Sequence, residues 1–220
     1  QWNNKYIISL LYRSLMQYDI ENQKIVWDIA SCDVSNLANI DCILEPNIFW
    51  SNGEAITTQD VFKTYTLLQN SELNPVIGSL LWTTNNSVNN NTITFKNTRK
   101  DINFLNVFFQ PILPESIISS MTEEELNGNF PIFDQVYSWK FKISKVDQNQ
   151  SMGTTNFVLD KNDFYHNNDI LFDQYIIKFF PDQNSFLQNK HTVNIFNDKD
   201  HLIGTSVPRF QNMEYSLPRH

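Results

Sequence analysis

Carboxylates, imidazoles and thiols are the side chains here that could do chemistry, and their spacing decides which kind. Glu123, Glu124 and Glu125 stand side by side, but a hard cation takes six or more converging oxygens, and one helical turn spreads three neighbours around its axis. Thr122 with Glu125 reads instead as a capping box whose acidic first turn suits the helix dipole. Asp160, Asp163 and Asp169 have the residue type for a general acid/base pair, yet no apolar surroundings in the sequence would raise one pKa, so they read as solvated loop carboxylates. His166, His191, His201 and His220 share no i, i+4 spacing for a metal and read as surface side chains. There is no G-x-S-x-G, no H-E-x-x-H and no glycine-rich phosphate loop, since Gly53, Gly78, Gly128, Gly153 and Gly204 lie far apart. The expectation is a protein without catalytic residues, metal or cofactor.

Cys32 and Cys42 are the two cysteines, at a spacing that fits no metal-binding pair. Between them runs DVSNLANID, a turn sequence joining a strand over 28–34 to one over 40–44. A hairpin centred on Leu37 sets the two thiols opposite one another, within reach of a bridge and hence of an oxidising compartment. Two small buried apolar residues that never bond fit the same positions.

The elements that would position such groups are written locally. In FWSNGEAITTQDVF, Phe49 and Trp50 end a strand, and Ser51, Asn52 and Gly53 supply a turn, with glycine free to take a positive φ. Thr57 with Asp60 then opens a helix over 58–69. Residues 6–16 repeat apolar side chains at helical spacing, and strands are expected over 25–34 and 40–50. Beyond Gly78, SLLWTTNNSV and NTITFKNT form a hairpin about Asn89 and Asn90, although NNSVNNN is polar enough to read as a low-complexity loop. A short helix over 115–121 follows Pro114. Residues 137–146, 154–161 and 174–180 alternate as strands, Asp182 caps a helix to Lys190, and 192–196 gives a last strand. Irregularly alternating helices and hairpins point to α/β (mixed α+β) architecture rather than a doubly wound sheet.

With 220 residues, 41% of them hydrophobic, the chain can bury one substantial core or two small ones. Its net charge of −8 and pI near 4.9 argue against nucleic acid or an anionic membrane, which call for a Lys/Arg stripe. Lys96, Arg99 and Lys100 read as a solvated hairpin end. No apolar run reaches the roughly 18 residues that span a bilayer, and the chain opens at Gln1 without a charged n-region and apolar h-region, so any export signal is expected to have been removed. Its ends read as cut within a longer polypeptide.

Four segments in order resemble the extracellular solute-binding proteins of peptide and nickel ABC importers. Residues 50–61, WSNGEAITTQDV, match that family's aromatic followed by S-D-G-T-P-L-T-A-E-D-V. Residues 11–19, LYRSLMQYD, match L-Y-E-G-L-V-x-x-D; residues 131–137, PIFDQVY, match P-V-G-T-G-P-Y; and residues 161–166, KNDFYH, match R-N-P-D-Y-W. FDQYIIKFFPD and Val193, Asn194, Ile195 continue the series. The resemblance implies a periplasmic-binding-protein type II-like lobe over residues 1–220, with mixed sheet, hairpins and flanking helices, and a second lobe expected after residue 220. It further implies capture of an oligopeptide or similar solute, a membrane permease as partner, and a monomer exported to the periplasm or held as a cell-surface lipoprotein.

Aromatic residues make 14% of the chain, enough to line a binding cleft. By the resemblance, Phe108, Phe109 and Tyr137 lie nearest the ligand, although aromatics in such segments usually pack cores. The chain also departs from the pattern. Phe133 and Gln135 replace the two glycines before Tyr137, and His166 and His191 replace an aromatic and a glycine. If that backbone needs positive φ or close approach to ligand, the architecture is kept and the solute site lost, which leaves an extracellular interaction or scaffold domain as the alternative.

Overall fold

The computed structural model describes residues 8, 10–19, 22–70, 75–81, 84–97, 100–120, 135–151, 153–165, 173–189, 205–206 and 214–215. The expectations for Thr122 and the glutamates at 123–125, for Phe133, for Asp169, for the four histidines and for the strand over 192–196 fall outside these residues. Two compact units are present, Gln1–Lys142 with Asn162–His166, and Ile143–Lys161 with Asn167–His220.

The first unit is built on alternating strands. β1 (Met16–Asp19) pairs with β2 (Lys24–Trp27) as a two-stranded ribbon, and β3 (Ala30–Asp33), β4 (Asn39–Leu44), β5 (Thr84–Asn89) and β6 (Thr92–Asn97) form an antiparallel sheet in the order β3-β4-β6-β5. Period-two alternation turns Ile40, Cys42 and Leu44 of β4 and Ile93 and Phe95 of β6 inward, all buried. Cys32 and Cys42 are register partners joined by a disulfide. The Asn-rich stretch is an ordered hairpin rather than a loop, turning at Asn90 with φ of 52°, a value asparagine tolerates.

Helix α1 (Thr58–Leu68) opens with the expected capping box: the Asp60 N–H donates to Thr57 Oγ1 and the Thr57 N–H to Asp60 Oδ2. Asp60 does more than cap its own helix, because its Oδ1 accepts from the Glu115 N–H at 2.8 Å and so ties α1 to the start of α3 (Glu115–Ser120). α1 presses Tyr65 onto Phe95, 4.9 Å between ring centroids. A 3-10 helix over Ile102–Phe109 completes this core with Phe104, Val107 and Phe108, and Tyr65 donates its hydroxyl to the Val107 carbonyl at 3.1 Å. Edge-to-face contacts join Phe95, Phe104 and Phe108.

Several sequence expectations shift. The strand expected over 25–34 is two, β2 and β3, in different sheets, and the strand expected over 40–50 ends at Leu44. The helix over 6–16 is helical at Ile8, Leu10 and Leu11 and then breaks, with Ser14 bridging Pro111 and Met16 entering β1. The Arg13 N–H and carbonyl are engaged by Ser138 Oγ and the Ile112 N–H, so no helical ladder can use them. Residues 79–81 are the end of α2 (Pro75–Leu81), with proline in its first position, and not the start of a strand. The strand expected from Tyr137 begins at Phe141, because the backbone of residues 137–139 is bonded elsewhere.

The second unit holds a three-stranded sheet, β7 (Phe141–Asn149, from Ile143 on), β8 (Thr154–Lys161) and β9 (Gln174–Phe179), in that order. Leu159 is fully buried, and Phe157 packs edge-on against Phe179 at 5.4 Å. Asp182 caps α4 (Gln183–Asn189) by accepting from the Ser185 N–H at 2.8 Å. β10 (Thr205–Ser206) pairs with β11 (Glu214–Tyr215). Every described register is antiparallel, and the described elements have the mixed α+β architecture expected. No helix among the described residues is long and apolar enough to cross a membrane.

Candidate functional site

The segments that carried the sequence signature meet at one joint in the first unit. Trp50 to Glu54 turns tightly: the Gly53 N–H donates to the Trp50 carbonyl and the Trp50 N–H to the Glu54 carbonyl. Gly53 has φ of +87°, and a Cβ there would stand 3.0 Å from the Phe164 ring, so handedness and close approach both favour glycine. Ser51 grips Tyr137 from both sides. Its N–H donates to the Tyr137 carbonyl at 2.7 Å, and its Oγ accepts the Tyr137 N–H at 3.0 Å.

Leu11 and Arg13 complete the joint. The Leu11 carbonyl accepts from the N–H groups of both Ser138 and Trp139, at 3.0 and 2.9 Å, and the Arg13 N–H donates to Ser138 Oγ at 2.8 Å. Asn162, fully buried, donates Nδ2 to the Trp139 carbonyl at 2.9 Å and accepts the Phe164 N–H on Oδ1 at 3.1 Å. Residues 11–13, 50–54, 137–140 and 162–165 are thereby held together by hydrogen bonds with both partners fixed.

Arg13 donates Nε and Nη2 to Asp28 Oδ1 at 3.0 and 2.5 Å, and the Asp28 side chain is 4% exposed. Burial raises the Asp28 carboxyl above its ordinary range, while the Arg13 guanidinium and the Ser14 N–H pull it down. The guanidinium carbon lies 5.9 Å from the Trp139 ring centroid and 5.6 Å from that of Tyr165, and those rings meet edge to face at 5.4 Å. Tyr12 packs on Trp50 and Tyr137 at 6.3 and 5.7 Å, and its hydroxyl is pushed upward by burial and then by Tyr137.

The residues expected to face a solute fare differently. Phe108 is fully buried in the aromatic core and has no surface to offer. Phe109 is half-buried, and Tyr137, 2% exposed, is enclosed in the joint. Asp163 pairs with Lys142 at 3.1 Å, and Asp160 accepts from Gln174. Sequence reasoning missed Arg13, Asp28, Trp139, Tyr165 and Asn162 as one assembly, since the only hint was that four motifs recur in order. Among the described residues no three His, Cys, Asp or Glu side chains gather as metal ligands. The arrangement is suited to holding a shape and presenting half-buried rings and cations.

The model of the bacterial extracellular solute-binding proteins, family 5 (middle), matches residues 34–194. The chain belongs to that family. The fold agrees: NikZ from Campylobacter jejuni, solved with Ni(L-His), superposes with a TM-score of 0.70 at 17% identity, over 84% of this chain and 37% of NikZ. AppA from Bacillus subtilis, solved with a nonapeptide, gives 0.69 at 19% identity over 86% and 38%. A periplasmic oligopeptide-binding protein from Borrelia burgdorferi gives 0.67 at 19% over 87% and 41%. The 220 residues thus span well under half the length of these solved relatives. No curated protein sequence matches the chain. Membership of family 5 relates the chain by descent to extracellular solute-binding proteins, and the joint described above is where the motifs of the sequence meet in the structure.

Proposed function

We propose that this chain is part of the capture component of an ABC importer, taking oligopeptides or similar small solutes outside the cytoplasm and delivering them to a membrane permease. The family match over residues 34–194 carries this reading, and the relatives solved with a nonapeptide and with Ni(L-His) support small-solute capture. The protein binds and releases without covalent chemistry. The chain forms one lobe, works as an exported monomer or lipoprotein, and closes on solute against a second lobe, with the closed state selected because only it satisfies both sides of the ligand. Phe109 contributes apolar contact at the solute's edge. Tyr137 acts indirectly, as the anchored end of the joint.

Uptake is the test. Deleting the gene in the producing cell should abolish import of labelled tri- to pentapeptides, with recovery from a plasmid copy, and unchanged import would overturn the reading. A second reading, an extracellular scaffold that keeps the fold without a solute, is favoured by the replacement of glycine at Phe133 and Gln135 and predicts that unchanged import.

A further inference from the structure

Asn-Gly is the dipeptide in which an asparagine is most readily attacked by its own backbone, because glycine sets no Cβ between its nitrogen and the neighbouring side-chain amide. The sequence holds it at Asn52–Gly53 and at Asn127–Gly128. The second lies outside the described residues, and the first lies in the turn on which the joint is built. Asn52 is exposed, so water reaches it freely. Its side chain is nevertheless clasped at both ends by one residue: Oδ1 accepts the Glu54 N–H at 3.0 Å, and Nδ2 donates to Glu54 Oε2 at 2.9 Å. The nitrogen that would attack is held as well, since the Gly53 N–H donates to the Trp50 carbonyl at 2.9 Å. Electrophile and nucleophile are adjacent in sequence, and the fold engages each of them elsewhere.

We propose that Asn52 is a site of spontaneous deamidation gated by this turn, so that the modification is confined to molecules in which the turn has opened. On opening, the Gly53 nitrogen gives up its proton and bonds to Asn52 Cγ, the Cγ–Nδ2 bond breaks, and the amide nitrogen departs with that proton as ammonia, leaving a succinimide. Water then opens the ring. Addition at Cγ gives aspartate on an ordinary backbone; addition at the main-chain carbonyl leaves Gly53 attached through Cγ, an isoaspartyl link that adds a methylene to the main chain. The products differ in consequence. Aspartate keeps the turn, with its carboxylate beside Glu54. The isoaspartyl link lengthens the loop inside the Trp50 and Glu54 backbone hydrogen bonds and shifts Gly53 from under Phe164, whose ring stands 3.0 Å from the place of a Cβ. Ser51, one residue before the link, then loses its two-sided grip on Tyr137. Deamidation by this route is a one-way unlocking of the joint, whatever solute the protein takes.

The test ages the 220-residue chain in mildly alkaline buffer, folded or in urea. Peptide mapping reads the mass gained when amide becomes acid, and a protease that cuts before aspartate separates the products, because it does not cut at an isoaspartyl link. In urea, Asn52 should convert at a rate similar to that of Asn127, its reference in the same chain. Folded, it should convert about a hundredfold more slowly, because three hydrogen bonds must be released, each with a net worth of about a factor of five. Glu54→Ala removes one bond of the clasp and should speed the folded reaction about fivefold while leaving the reaction in urea unaltered. Asp60→Ala, which weakens the same unit away from the turn, should not change the folded rate. Asn52→Asp carries the new charge on an ordinary backbone and should keep the wild-type urea midpoint, whereas the isoaspartyl form, separated by ion exchange, should lose part of it. Failure of Asn52 to convert in urea would overturn the site. Equal rates folded and in urea, or equal acceleration by Glu54→Ala and Asp60→Ala, would overturn the gate, and an isoaspartyl form as stable as Asn52→Asp would overturn the unlocking.

Discussion

Replacing Asn162 by alanine should unfold the first unit more easily by about 2–3 kcal/mol. The amide is fully buried and both ends are used, Nδ2 on the Trp139 carbonyl at 2.9 Å and Oδ1 on the Phe164 N–H at 3.1 Å. Each such bond contributes roughly 1 kcal/mol net, and a buried carbonyl left without its donor adds about 1 kcal/mol or more. Phe164 is exposed, so water replaces the acceptor at its N–H and little is added there. Urea unfolding followed by near-ultraviolet circular dichroism reads the result: with a slope of about 2 kcal/mol/M, the midpoint falls by roughly 1–1.5 M. Asn162→Asp gives the sharper contrast. A carboxylate still accepts from Phe164 but sets a negative oxygen against the Trp139 carbonyl, so at neutral pH it should be no more stable than the alanine variant and should recover in acid, where the protonated carboxyl donates. An aspartate variant matching wild type at neutral pH, or an alanine shift below about 0.3 M, would show that Asn162 does not hold the joint.

Asp60→Ala should cost about 2–3 kcal/mol against about 1 for Thr57→Ala, because Asp60 serves both the Thr57 and Glu115 N–H groups; thermal melts giving the opposite order would sink the two-helix role. Joint replacement of Cys32 and Cys42 by serine should cost about 3 kcal/mol, since the bridge closes a ten-residue separation, and titration of unreduced, unfolded protein should find no free thiol. Two reactive thiols would contradict it. Because burial raises the Asp28 carboxyl above 3.8, the folded state holds that proton more tightly than the unfolded chain does. Its contribution is full below about 3.8 and is lost as pH rises through the folded value. The stability of wild type relative to Asp28→Asn should therefore fall between acid and neutral pH, and a rise would refute the sign. On the proposal that the chain is one lobe closing against a second, calorimetry on the chain should show peptide binding weaker than micromolar; micromolar affinity would refute that proposal.

What the sequence made legible was local. The Thr57–Asp60 box, the hairpin at Asn90 and the opposition of Cys32 to Cys42 need only neighbours and period-two alternation, and each is present. What it concealed was long-range. Residues 6–16 have helical spacing, yet Ser138 and Ile112, more than ninety positions away, take the Arg13 backbone and end the helix. Alternation beginning at Tyr137 looked like a strand, but Ser51 and Leu11 claim that backbone first. Phe108 and Phe109 are neighbours of the same residue type, and periodicity could not tell that one is enclosed by Phe95 and Tyr65 while the other keeps a partly open face. The Arg13–Asp28 pair was invisible for the same reason.

The lost glycines are the main argument for a scaffold, and the backbone bears on it directly. Glycine is irreplaceable where φ is positive or where another group comes within van der Waals distance of its Cα. Gln135 is not among the described non-glycine residues of positive φ, which are Gln23, Asn47, Asn90 and Lys100, so the first condition does not hold at that position. Two positions on, the Tyr137 amide and carbonyl still meet Ser51 with both hydrogen bonds made. At Gly53, by contrast, φ is +87° and Phe164 closes to 3.0 Å of a would-be Cβ, and there glycine is kept. The chain thus retains glycine where the joint demands it and dispenses with it at Gln135, where the backbone is ordinary. What remains of the scaffold argument is close approach of a ligand to residue 135. On the solute-binding reading, a glutamine at a position that solute approaches would narrow its space without straining the fold, so Gln135→Gly should change which solutes bind while leaving stability within about 1 kcal/mol of wild type. A large loss of stability with no change in binding would show that the position belongs to the architecture.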